Sequence, residues 1–205
     1  MNFTRRTSGR RGFTLTEMVV ATAVFGVIMG AVMSFLLSSK NFSSYNQGKL
    51  LINRDIRKFT SELGDYATYS SFFIIYNSFK NRVEMNEGQS GDFLLLAFVD
   101  ETDPSAYTAL VGYYRSASTT TAGPVRKFAI KFDPPRSEDI EDLIPATSSE
   151  GTHPEVIELS RGLSDGQLFY NFFGRSITVQ GEILHKGSNL KQATNTYNFT
   201  VSPRG

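Results

Sequence analysis

The chain of 205 residues has no cysteine, no tryptophan and only two histidines. Without cysteine there is no disulfide framework, no thiolate zinc site and no cysteine nucleophile. With His153 and His185 alone, a metal site would rest mostly on carboxylate and carbonyl oxygens. The formal net charge is +1, so no overall basic field points to nucleic acid. Gly-x-Ser-x-Gly, the phosphate-loop pattern and His-Glu-x-x-His are all missing. The two histidines lie far apart and read as surface residues. No catalytic, cofactor-binding or metal-ligating residue is nominated, no cofactor is expected, and the chain does not read as an enzyme.

What is present is unevenly placed. Arg5, Arg6, Arg10 and Arg11 put four positive charges into the first 12 residues, with no acid among them. Setting those four aside takes the net charge from +1 to −3. The chain is basic at one end and mildly acidic in its body. From Met18 to Leu37 there are 20 residues without a charge. As a helix they span about 30 Å, the thickness of a bilayer's hydrocarbon core. The run is apolar on all sides, unlike a surface helix of a soluble domain. Arginines before it and a single Lys40 after it predict a cytoplasmic N-terminus, with the rest of the chain across the membrane. The run exceeds the 7–15 residues or so of a signal-peptide core, and no Ala-x-Ala follows it. A plain signal anchor suits the length.

Between the last arginine and this run sits Gly12-Phe13-Thr14-Leu15-Thr16-Glu17. The segment resembles the class III leader of type IV pilins and type II secretion pseudopilins. The resemblance covers roughly the first 40 residues. It implies that prepilin peptidase cuts after Gly12 and that the new terminal Phe13 is N-methylated. It makes Glu17 the glutamate at the fifth position of the mature chain. A carboxylate inside a bilayer is costly and usually has a partner. The resemblance implies that this partner is the free amine of Phe13 on a neighbouring subunit. Arg10-Arg11-Gly12-Phe13-Thr14-Leu15 also looks like a twin-arginine export signal, though Glu17 and the long apolar run disagree with it.

Small residues Ala23, Gly26, Gly30 and Ala31 suit close approach of helices. Ser34 stands where many major pilins carry a proline, a departure that suits a minor subunit. Residues 41–68 read as the helix continuing into water. Ile52, Ile56, Phe59 and Leu63 form an apolar stripe suited to packing on a sheet. Gly48 is a soft point and Gly64, or a residue near it, the expected end. The Arg54-Asp55 pair resembles one in minor pseudopilins of the J type, and an ordinary solvated helix face explains it as well.

Beyond Tyr69 short runs rich in Phe, Tyr, Val and Ile predict strands at 71–76, 81–85, 93–99, 107–114, 125–132, 156–159, 168–172, 176–184 and 195–201. Turn signals separate them at 89–91, Asp103-Pro104, Gly123-Pro124, Asp133-Pro134-Pro135 and Asp165-Gly166. The many aromatics are expected to fill a core. Residues 133–155 read as the least ordered stretch. Its acidic 137–142 run reads as solvated and lacks the EF-hand ligand spacing for calcium.

The predicted class is α+β: a long N-terminal helix packed on an antiparallel β-sheet domain, pilin-like. The expected organisation is leader 1–12, transmembrane and assembly helix 13–39, amphipathic continuation 40–68 and periplasmic β-rich domain 69–205. The resemblance implies a minor pilin or pseudopilin of a type II secretion pseudopilus or a type IV pilus-like fibre. Its partners would be prepilin peptidase, other minor and major pilins or pseudopilins, and the inner-membrane assembly platform. It would sit in the inner membrane before assembly. The alternative is a periplasmic enzyme or binding protein held by an ordinary anchor or sent out by a twin-arginine signal.

Overall fold

The computed structural model describes residues 12–116, 122–160, 167–185 and 193–204. The arginines of the leader, the Asp165-Gly166 turn and Lys186-Gly187 lie outside the described residues. Two compact units divide the chain, Met1–Ser44 and Tyr45–Gly205.

Helix α1 (Leu15–Tyr69) is continuous over 55 residues and passes through Gly48 unbroken. Every residue from Gly12 to Gln47 is exposed. From Gly48 the pattern changes. Ile52, Phe59, Leu63 and Ala67 are buried, and Ile56 is partly so, as the stripe predicts. The helix does not stop near Gly64. A Cβ there would just touch the Phe199 ring, at 3.5 Å, so this glycine lies under β-sheet packing rather than at a cap. The stop comes at Ser70, whose buried hydroxyl donates to the Ala67 carbonyl, 2.8 Å away.

The strands are β1 (Phe72–Tyr76), β2 (Ser90–Gly91), β3 (Phe93–Val99), β4 (Tyr107–Arg115), β5 (Ala122–Arg136), β6 (Glu155–Ser160), β7 (Phe169–Phe172), β8 (Ser176–His185) and β9 (Ala193–Val201). All pairings are antiparallel. The order is β1-β3-β4-β5-β6-β8-β7-β2, with β9 on β8. The class is α+β.

The sheet is buried on both faces at its centre, which is why β3 is a continuous apolar run instead of an alternating one. Leu94 and Leu96 join Phe59, Leu63, Val111 and Tyr113 on the helix side. Phe93, Leu95 and Ala97 join Phe79, Leu110, Tyr114 and Phe128 on the other. Gly112 faces that second layer, where a Cβ would fall 2.2 Å from the Phe128 ring. Aromatics therefore make up much of this core, while Tyr69, Phe172 and Phe173 of the same unit stay exposed. Tyr113 has a buried hydroxyl without a hydrogen-bond partner among the described residues, and burial pushes its pKa upward.

Three expectations are corrected here. The 133–155 connection is ordered. Helix α2 (Ile140–Leu143) and a 3-10 turn (Thr147–Ser149) run through it, and Leu143 and Ile144 are buried in the second core layer. The acids of its 137–142 run are exposed, while its few apolar residues anchor it. Arg82 ties it down by donating to the carbonyls of Glu141 and Pro145. The second correction is that residues 81–85 form no strand. Ser78 and Asn81 close a turn, and Tyr76 with Glu84 makes a single bridge. Thirdly, β5 runs through two of the three proline-containing turn signals, Gly123-Pro124 and Asp133-Pro134-Pro135. Pro124 lies beside the end of β4. The 134–135 prolines lie where the register with β4 slips, between Tyr107 and Ala109, so no regular ladder bond is lost. The Asp133–Pro134 peptide bond is cis.

His153 is also not a simple surface residue. Its ring centroid is 5.5 Å from that of Phe128 and 6.0 Å from that of Phe79. The Tyr114 hydroxyl donates its one proton to the Glu150 carbonyl at 2.6 Å. The 2.7 Å contact between that hydroxyl and His153 Nδ1 therefore requires the histidine to donate, which places a proton on Nδ1. Burial, and then the Arg126 charge, lower the His153 pKa.

Candidate functional site

The start of α1 is built by four residues. Gly12 and Phe13 precede the helix, and Phe13 is 82 % exposed. Thr14 is the residue before the first turn. Its hydroxyl oxygen accepts from the Glu17 backbone N–H at 3.3 Å. Glu17 Oε2 in turn accepts from the Thr14 backbone N–H and from its hydroxyl, both at 2.9 Å. This reciprocal arrangement is a capping box, which satisfies two donors that a helix N-terminus leaves open. The carboxylate also sits at the positive end of the helix dipole.

Glu17 is thus held facing along one strip of the helix. Thr16, Val20, Ala21, Val24, Phe25 and Ile28 line a shallow groove with it. Residues 17, 20/21, 24 and 28 are one helical face. The apolar stretch of α1 is long enough to cross a membrane, and none of it is buried. Water is a poor solvent for such a surface, so it needs lipid or other helices around it. At Gly26 and Gly30 an added Cβ would meet nothing within 4 Å, which leaves the close-approach positions open to a neighbouring helix.

Residues 7–33 match a family model described as the prokaryotic N-terminal methylation motif. The chain carries a prepilin-type methylation motif. The motif marks a type IV pilin-like substrate of prepilin peptidase, and it implies assembly with other pilins. A single apolar N-terminal helix fits membrane anchoring. The match contains Gly12, Phe13 and Glu17 and stops before the helix reaches the β-domain. No curated protein and no solved structure matches the chain.

The cap residue Thr14 was not singled out by sequence reasoning. Its signal was there: Thr14-Leu15-Thr16-Glu17 has the Ser/Thr-x-x-Glu spacing ahead of an apolar run. Elsewhere the structure separates the remaining candidates. Arg54 and Asp55 form an exposed ion pair at 3.3 Å on the outer face of α1, of a kind worth little to stability. His185 ends β8 opposite Ala193, and His153, partly buried, packs its ring against Phe79 and Phe128 of the second core layer. Among the described residues, no three His, Cys, Asp or Glu side chains gather as a metal site.

Proposed function

We propose that this chain is a minor pilin or pseudopilin. The observation that carries this reading is the methylation motif leading directly into the exposed apolar half of α1, whose one carboxylate, Glu17, faces its apolar strip. In this reading the precursor sits in the inner membrane with its N-terminus in the cytoplasm and the β-domain in the periplasm. Prepilin peptidase cuts between Gly12 and Phe13, and Phe13 is N-methylated. Glu17 then pairs with the Phe13 amine of a neighbouring subunit. Neither charge leaves water cheaply alone, so the pair favours one axial register. The work is mechanical, and the chain has no reaction of its own. Partners are other minor and major subunits and the inner-membrane assembly platform. Ser34 in place of the proline and the Arg54-Asp55 pair favour a J-type subunit of type II secretion over a type IV pilus subunit.

Fractionation tests the assembly step. In cells with prepilin peptidase, a fraction of the chain is expected to co-sediment with sheared fibres. In cells lacking it, all of the chain is expected to stay in the inner membrane. Equal membrane retention in both would contradict the reading.

A further inference from the structure

Strand β5 outruns its neighbour. It pairs with β4 as far as Lys131, with Arg136 opposite Tyr107 beyond the register slip. On its other side, β6 pairs only with Ala122–Arg126. The direction of the backbone groups beyond that point follows from two hydrogen bonds. Pro124 O accepts from Ser116 N at 3.1 Å, so the even-numbered residues of this regular stretch face β4. Lys127 N donates away from β4 to Pro154 O, also at 3.1 Å. The N–H and C=O of Ala129 and Lys131 therefore point to the side that β6 has vacated. Among the described residues no strand pairs with them there. Both residues are exposed.

The vacated side is a groove of about 670 Å³. Ala129 lies along it, Lys58 and Glu62 of α1 flank it, and His153 and Pro154 close the end where β6 begins. The charges do not cancel. Glu62 is taken by Lys127, and Glu155 by Arg126. Lys58 and Lys131 have no carboxylate partner among the described residues. Open edges are usually blunted by lysine and proline, and here Lys131 and the 134–135 prolines limit the free stretch to a few residues. That length suits one short strand and discourages open-ended stacking.

We propose that the open edge of β5 at residues 129–131 accepts an extended acidic segment of a partner protein as an added strand. Backbone bonds to Ala129 and Lys131 supply the register, and carboxylates meeting Lys58 and Lys131 supply the preference. The proposal is independent of how the N-terminus is processed.

Residue-resolved amide exchange on the full chain in detergent micelles tests it. The probes are two synthetic ten-residue peptides, one alternating glutamate with threonine and the other lysine with threonine. The acidic peptide is expected to slow exchange at Ala129 and Lys131 at least about tenfold, and the basic one to leave both fast. The double variant Lys58→Glu, Lys131→Glu should weaken the acidic peptide by a similar factor, with β3 amides still protected as the folding control. No slowing at the two amides, equal slowing by both peptides, or protection confined to another edge such as β9 would each overturn the proposal. The wild-type comparison decides even where the variant fails to fold.

Discussion

Glu17→Ala is expected to be cut normally and to fail in assembly. The structure gives Glu17 two separable roles. Within its own chain it completes the capping box with Thr14. In the proposed fibre it supplies the negative charge that meets a neighbour's terminal amine. Alanine removes both, so a second variant is needed to tell them apart. Glutamine at the third helical position can still close a capping box, but it carries no charge. If the charge pair drives assembly, Glu17→Gln should resemble Glu17→Ala, with incorporation into fibres reduced by about tenfold or more and cleavage after Gly12 intact. A partner charge left unpaired in an apolar interface makes a loss of that size reasonable. If the cap is what matters, Glu17→Gln should incorporate like the wild type, and Thr14→Ala should be the defective variant. Normal incorporation of Glu17→Ala itself would remove the salt-bridge role altogether.

Phe59→Ala is expected to cost the most stability of any single truncation on α1. Phe59 is fully buried between the helix and the sheet. Its ring lies edge-on to Tyr113 at 5.9 Å and tilted against Tyr197 at 5.7 Å. Removing such a side chain from a packed core costs about 3–5 kcal/mol, through lost transfer energy and the cavity left behind. For a domain of this size that corresponds to a fall in Tm of roughly 6–20 °C. Leu50→Ala, nine residues earlier on the same helix and 68 % exposed, is the control, with an expected change within about 0.5 kcal/mol. Thermal unfolding of both variants in the same detergent separates the two. Equal small shifts would mean that the helix is not held by this face.

How far these features were legible in the sequence depended on how local they were. The stripe on α1 and the run Phe93–Val99 were readable because each has its own period or composition, and the structure places both as expected. The 81–85 segment misled because Val83 and Met85 suggest alternation, while its turn contacts with Ser78 and the bonds of Arg82 pull it into a loop. The packing of 133–155 onto the second core layer was hidden by its acids and prolines. Its anchors, Leu143 and Ile144, are few, and their burial depends on a distant Phe79 and Phe128. The strand order rests also on the pairings of β6 with β8 and of β7 with β2, which skip intervening strands and which local patterns do not encode. The methylation motif was readable for the opposite reason, since its residues stand at short, fixed offsets from one another and from the apolar run. The open edge of β5 had no local signal, because it exists only where β6 fails to follow.

The most direct test of the account is the intact mass and N-terminal residue of the protein taken from its native membrane. The expected result is a chain that begins at N-methylated Phe13 and has lost Met1 to Gly12. A chain that retains Met1 to Gly12 would contradict prepilin-type processing and leave α1 as an ordinary anchor.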